Sequence, residues 1–555
     1  MRQTLRPISA ALALATALTS QALAQSRAPV DLRILAINDF HGNLQPPPGG
    51  IRIDDASDKG KKITVAAGGA ESMATLVKQL RDGHRNNIFV AAGDLIGASP
   101  FLSAMFHDEP TIESLSLMGL AISSVGNHEF DEGKDELLRM QNGGCHKDDG
   151  CKGPHPFEGA KFHYLAASTF VRDIGKTLFP PYEIRTFDGI PVAFIGLTLK
   201  STPDIISPAA AAGLEFRDEA DTVNALVPEL KAKGVEAIVV LIHEGGAQEG
   251  DYGGCSGMSG AIVDIVNKLD KAVAVVISGH THRAYLCVID GRLVTSADKF
   301  GTLVTAIDLK FDPVTRHVVT MHAENHIVRS ETIAKDSEQT ALIESYEKVA
   351  APIANRRAGT VTATLSRVPN LTGESVLGDV VADAQLAATR SEKDGGAVMA
   401  FTNPGGIRTD IAKKVDGAVS YADVFAAQPF RNRLVTLTLT GAEIKDMLEQ
   451  QWRDPARPRI LQASRGFSYS WDAAKPYGEH VVAASMKLNG VAIAPSTSYR
   501  VTVNDYLALG GDGFSVLKDG RTKQYGIYDD EALFAFFGAN SPITSGPPDR
   551  ISRIN

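Results

Sequence analysis

Several things are scarce in this sequence of 555 residues, and each scarcity closes off a class of function. There is no cationic surplus: the formal net charge is −9, whereas a groove that tracks a phosphate backbone needs an excess of Lys and Arg. A small anion stays admissible, because a few local cations or metals can dominate one cleft. Beyond the N-terminal stretch no apolar run approaches the roughly 20 residues that a spanning helix needs, so no membrane span is expected. Cysteine is limited to four, and no two stand two residues apart, which argues against a zinc site built from them. Internal repeats and long low-complexity tracts are also missing.

What is present begins with an export pattern. Arg2 and Arg6 supply a positive start, residues 8–18 a short apolar stretch, and Ala22-Leu23-Ala24 a small-x-small cleavage site. Residues 1–24 are therefore expected to be a signal peptide, and the mature protein to be periplasmic or secreted. An even number of cysteines fits an oxidising compartment and two disulfides. Cys145 and Cys151 share a polar, Gly-rich segment, Cys255 lies in another Gly-rich loop, and Cys287 follows a His-rich stretch. Three pairings are open; Cys145–Cys151 with Cys255–Cys287 is favoured.

A chain this long exceeds one hydrophobic core. Residues 28–332 alternate β-branched apolar runs with amphipathic stretches, and the spacing predicts helices over 72–81 and 219–233. The run Ala237-Ile238-Val239-Val240-Leu241 reads as a strand buried on both faces. An α/β layered domain follows. Residues 333–357 form a polar linker, with an exposed connecting helix expected over 336–357. Over 358–555 the pattern restarts as a separate α+β domain, with helices over 377–389 and 441–452 and strands over 398–402, 434–440 and 499–503.

The chemistry gathers where apolar runs of the first region stop. Run 32–37 leads to Asp39 and His41, and 88–92 to Asp94. Run 121–125 leads to Gly126-Asn127-His128-Glu129-Phe130-Asp131, 238–242 to His243, and 273–277 to Gly279-His280-Thr281-His282. Ligand groups in open α/β sheets collect at the carboxyl ends of strands, so these donors can converge. Asp39, His41, Asp94, Asn127, His243, His280 and His282 mix carboxylate, amide and imidazole, a set that suits zinc, manganese, iron or cobalt better than calcium or magnesium. They are too many for one tetrahedral ion but suit two divalent ions about 3.5–4 Å apart, with Asp94 as the shared carboxylate. Such a pair acidifies a shared water and absorbs charge on phosphate oxygens, which implies hydrolysis of a phosphate ester by in-line attack of metal hydroxide. His128 is expected to stabilise the phosphoryl oxygens or protonate the leaving alkoxide, with Asp131 holding its other ring nitrogen.

In this order the motifs resemble those of the calcineurin-like metallophosphoesterases. The resemblance implies a four-layer α-β-β-α sandwich, one metal on Asp39, His41, Asp94 and His282, and a second on Asp94, Asn127, His243 and His280. Further on, Asn403-Pro404-Gly405-Gly406-Ile407-Arg408 and Gly510-Gly511-Asp512-Gly513-Phe514 resemble the signatures of the 5′-nucleotidase C-terminal domain. That likeness implies a nucleoside held by Asn403 and Arg408, a ribose contact from Asp512, and a base sandwiched between Phe430 and Tyr506, with Gly406 and Asn432 on the same substrate surface. Stacking a base on an aromatic face gives roughly 1–3 kcal/mol. His282 stands where related nucleotidases usually carry an amide, and Arg431 replaces the glycine common after the stacking Phe, which is expected to add charge beside the base. The implied protein is an exported 5′-nucleotidase using two divalent ions (zinc, manganese or cobalt), with domain closure about 336–357. Alternatives are a 2′,3′-cyclic-nucleotide phosphodiesterase with 3′-nucleotidase activity, a UDP-sugar pyrophosphatase, thiosulfohydrolase-like sulfur chemistry, and a nucleotide-binding module without catalysis.

Overall fold

Strand Val30–Ile37 sends Leu32, Ile34 and Ala36 into one core and Leu35 and Ile37 into another. Successive strand side chains point to opposite faces, so a strand apolar on both must be covered on both. The computed structural model, which describes residues 28–555 apart from 56, 59, 60, 456 and 545, shows that cover. The expected signal peptide lies outside the described residues.

Val30–Ile37 pairs in parallel with Asn87–Ala91, which continues to Ile122–Ser124 and His163–Leu165. Antiparallel Leu303–Phe311 and Val318–Ile327 complete its other side. A second sheet runs Ala284–Ile289, Arg292–Ala297, Val273–Ser278, Ala237–His243, Ile190–Thr198, Tyr182–Phe187, its inner strands parallel. Ile34, Val90 and Ile122 of the first sheet meet Phe194, Val239 and Ile277 of the second. Helices Ala70–Arg81, Glu109–Leu117 and Lys134–Asn142 cover the first sheet through Met73, Val77, Ile112, Leu115 and Leu137. Glu219–Ala232 and Ala261–Lys268 cover the second through Val223, Val227, Ile262 and Val266. The layers are α-β-β-α, as expected, and each aliphatic side chain fully buried in them contributes about 1.5–3 kcal/mol.

The second domain has a five-stranded sheet in the order Gln462–Ala463, Met399–Thr402, Ser498–Asn504, Arg433–Thr440, Arg521–Tyr528. Helices Val376–Thr389, Gly441–Glu449 and Asp529–Asn540 pack on it.

The connecting helix departs from expectation. Ser337–Ala354 starts at Asp336, whose carboxylate accepts the Glu338 and Gln339 backbone N–H groups. It is docked on the first domain rather than exposed. Gln339, Ile343, Tyr346 and Ala350 recur at helical spacing and are buried. Gln339 exchanges hydrogen bonds with Ser114, and the Tyr346 hydroxyl donates to Glu113 at 3.0 Å. A stripe this narrow is hard to read in a segment that mixes Glu, Ser, Thr, Gln and Ala with apolar residues, yet it is enough to seat the helix. Beside it, Phe101 of the first domain meets Tyr421 and Phe425 of the second.

The favoured disulfides, Cys145–Cys151 and Cys255–Cys287, are both formed. With all four cysteines so used, a cysteine zinc site is excluded. Among the described residues no helix is long and apolar enough to cross a membrane.

Candidate active site

The apolar runs end on one side of the sandwich, and the turns that follow turn back sharply. Asp39, His41, Asp94, His280 and His282 all have positive φ, between 46° and 70°. That region is uncommon for residues with a side chain, and such conformations cluster at functional sites, where each costs about 1–3 kcal/mol. Two glycines let the turns meet. A Cβ on Gly126 would lie 2.2 Å from the Asp94 carboxylate, and one on Gly93 would lie 2.6 Å from the Gly126 nitrogen.

The result is one pocket. Asp94 Oδ2 is 2.9 Å from His243 Nε2 and 3.6 Å from His41 Nε2. Asp39 Oδ1 is 3.3 Å from His282 Nε2, which faces His41 Nε2 at 3.1 Å. Asn127 Oδ1 meets His280 Nδ1 at 3.0 Å. Asp39, His41, Asp94, Asn127 and His243 are buried. All seven donors predicted from the sequence are therefore brought together.

Their orientation is set from behind. His41 and His243 each direct Nδ1 to a backbone carbonyl, of Gly97 and Ala92, at 2.8 Å. With Nδ1 carrying the proton, Nε2 presents its lone pair to the pocket. Buried His243 Nε2 has Asp94 Oδ2 at 2.9 Å but out of line for a hydrogen bond.

Charge in the pocket follows from burial and the two carboxylates. Burial opposes charge on His243, but Asp94 and Asp39 overcome it and push its pKa up to about 10. Burial and His243 hold His280 down at about 3. Burial likewise lowers His41 and His282, keeping them neutral donors. Burial works against ionisation of Asp94 too, yet His243 and His128 hold it well below the usual carboxylate range. Imidazoles, ionised carboxylates and an amide oxygen aimed at common points fit divalent cations, one of which would take the place of the proton that Asp94 and Asp39 favour on His243.

His128 and Asp131 pair as expected, Nδ1 to Oδ2 at 2.8 Å. Burial disfavours the imidazolium, but Asp131 and Asp94 overcome this and raise its pKa. The His128 backbone N–H donates to Asp94 Oδ1 at 2.9 Å.

The nucleoside residues divide. Phe430 lies against the His128 ring, centroids 5.9 Å apart and 18° from parallel, and the Arg408 guanidinium sits 5.7 Å from the Phe430 ring centre. Both therefore reach the metal-binding side of the cleft. Asn403 donates to Asp512 at 2.8 Å, and Gly406 packs behind it, where a Cβ would lie 3.0 Å from Asn403 Oδ1. The Tyr506 hydroxyl donates to Asp512 at 3.0 Å and reaches the Ile205 carbonyl of the first domain at 3.5 Å. Asn432 is engaged elsewhere, donating to Asp529 at 3.2 Å. The Arg431 guanidinium lies 4.6 Å from the Tyr528 ring centre and near Asp530 and Glu531, on a backbone with a left-handed φ of 51°.

Other contributors become visible only in three dimensions. Buried Glu129 accepts N–H bonds from Asp94, Leu95 and Gly126, tying two donor loops together; burial and Asp94 push its pKa up to about 8. Asn38 donates to Asp39 at 2.7 Å and accepts from the Ala297 backbone. Asn504 donates to Asn403 and Arg459 to Asp512. Lys299 lies close enough to Arg367, Arg408 and Arg283 that, after burial, they lower its pKa. The adjacency of Asn38 to Asp39 and the placing of Glu129 two residues after Asn127 were the only sequence signals for these roles.

Comparison with known proteins gives two family matches: calcineurin-like phosphoesterase over residues 32–284, and 5′-nucleotidase, C-terminal domain, over residues 354–519. Endonuclease YhcR of Bacillus subtilis is 32% identical over 480 residues, covering 86% of this chain and 37% of that protein. Cell wall protein Lmo0130 of Listeria monocytogenes is 29% identical, covering 91% of this chain and 66% of its own length. The chain thus spans about a third and about two thirds of these two relatives. A solved 5′-nucleotidase precursor from Thermus thermophilus superposes with a TM-score of 0.76 at 26% identity, covering 95% of this chain and 99% of that one.

Proposed function

This chain belongs to the calcineurin-like phosphoesterases that carry a 5′-nucleotidase C-terminal domain, and from that premise we propose that it hydrolyses nucleoside 5′-monophosphates to nucleoside and phosphate with two divalent ions. The observation that carries the reading is the convergence of His41 and His243 on Asp94, with Asp39 also within 4.0 Å of His41, alongside Phe430 of the second domain near-parallel to the His128 ring.

Asp39, His41, Asp94 and His282 would hold one ion, and Asp94, Asn127, His243 and His280 the other. Bound there, such ions lower the pKa of water and accept charge from phosphoryl oxygens. The chain's own groups do the rest. His128, whose imidazolium form Asp131 favours, donates to a phosphoryl oxygen or to the departing alkoxide. Arg408, a permanently charged donor fork, faces the same anion from the second domain. Asn403 contacts the nucleoside and Asp512 its ribose, and Phe430 and Tyr506 flank the base. Residues 28–332 are proposed as the cleaving domain, 333–357 as the linker and 358–555 as the selecting domain.

The cations Arg367, Arg408 and Arg283 near Lys299, only partly offset by Asp298, exceed what a monophosphate needs and favour a second reading, cleavage of a pyrophosphate link in a nucleotide-sugar. Product analysis separates the two. AMP releasing phosphate at least as fast as UDP-glucose is cleaved supports the first reading; cleavage of UDP-glucose alone supports the second. No turnover of either, with nucleotide still bound, leaves a binding module. The disulfides support an exported protein, and the net charge of −9 supports a small nucleotide over a nucleic acid.

A further inference from the structure

The segment that holds Cys145 and Cys151 carries no part of the proposed reaction, yet it brings a histidine into a second cluster of metal-type donors. His107, Glu132, Glu136 and His146 each place one ligand atom within 4.8 Å of the others. His107 Nδ1 is 2.8 Å from Glu132 Oε2, and His146 Nε2 is 3.5 Å from the same oxygen and 4.0 Å from Glu136 Oε2. His107 Nε2 also meets Asp149 Oδ2 at 3.1 Å.

Three separate segments supply these groups, and each is held in place. His107 sits in a tight turn with φ 52°. Glu132 and Glu136 flank the start of helix Lys134–Asn142. His146 lies inside the loop closed by the Cys145–Cys151 disulfide, and the Asp149 backbone N–H donates to its Nδ1 at 3.1 Å. That bond places the proton of the neutral His146 ring on Nε2, facing the carboxylates, so an ion taken there shifts the proton to Nδ1 and releases the Asp149 bond. Glu136 is shared with Arg139, so His107, His146 and Glu132 form the inner set.

We propose that His107, His146 and Glu132, completed by Glu136 or Asp149, bind an additional zinc ion outside the reaction cleft. Two imidazoles with carboxylates match zinc, whereas calcium and magnesium prefer all-oxygen sets. The imidazole planes are 7° from parallel with centroids 3.7 Å apart, so binding turns one ring about its outer side-chain bond to bring both nitrogens onto the ion. Because Glu132 follows Asp131 directly, the ion would fix the segment that holds the His128–Asp131 pair while touching neither residue. Its role is to tether three loops.

The test counts zinc by native mass spectrometry on the full, disulfide-intact protein after zinc saturation and desalting. The wild type is expected to carry one ion more than His107→Ala/His146→Ala, while both keep the same circular dichroism. Zinc should also raise the melting temperature of the wild type more than that of the variant. If the double variant does not fold, His146→Ala in the disulfide loop takes its place with the same expectation. Equal zinc counts in wild type and variant overturn the proposal. So does an extra ion that Glu132→Gln leaves in place along with its stabilising effect. The count is independent of the substrate, so failure of the nucleotidase reading leaves this test intact.

Discussion

His128 sits where its imidazolium can be used, because Asp131 and Asp94 outweigh the burial that disfavours it. Replacing it with Ala is expected to lower kcat for AMP by about 10²–10⁴-fold, the range for losing a general acid. Metal content should be unchanged, and steady-state kinetics with metal analysis checks both. Asn38 acts one step further back, orienting Asp39. Asn38→Ala should weaken metal affinity about 10–100-fold and be rescued by excess metal, which a titration of activity against free manganese reads directly. The cluster of candidate metal donors was legible because Asp, His and Asn at the ends of apolar runs have no packing purpose there. Asn38, Glu129 and Lys299 were not, since ordinary polar residues reveal such roles only through what they touch.

Glu443 shows how a helix start ties into pH. Its carboxylate accepts the Thr440 N–H, the Thr440 hydroxyl accepts the Glu443 N–H, and Arg521 clasps it with two bonds of 2.8 Å. The Arg521 bonds and the Thr440 N–H pull its pKa down to about 2, against 4.5 unperturbed. A carboxylate depressed on folding stabilises fully above its unfolded value, and that contribution is lost as pH falls from there through the folded value. Glu443→Gln should therefore destabilise by about 0.5–1 kcal/mol near neutrality, a figure discounted for solvent screening. The deficit should shrink as pH drops from about 5 to about 3, which urea unfolding at both values checks. For the connecting helix, Tyr346→Ala removes a buried ring against Phe106 and should cost about 3–5 kcal/mol, measured in the same way. An exposed helix would lose almost nothing. Strands and long helices were readable from periodicity. The docking of this helix was not, because four inward residues in a polar stretch leave little periodic signal.

The two domains meet so that the second contributes directly to the pocket of the first: Phe430 packs on His128, Arg408 feels the metal-binding carboxylates, and Tyr506 reaches Ile205. Selection and cleavage should then be separable. Phe430→Ala is expected to lower kcat/KM for AMP by about 5–150-fold, corresponding to the 1–3 kcal/mol of base stacking. It should leave a small alkyl phosphate without a base nearly unaffected, and competition assays between the two substrates report the difference. Equal losses on both would move Phe430 into the cleaving machinery. The order of the two domains was legible from their motifs; their mutual placement was not, because contacts such as Phe101 with Phe425 join residues far apart in sequence.

The most direct check on the central claim is an anomalous difference map of crystals grown with manganese or zinc. Two peaks about 3.5–4 Å apart, both within bonding distance of the Asp94 carboxylate, are the predicted result. A map with a single ion at that pocket, or with none on Asp94, would contradict a site built on a shared carboxylate.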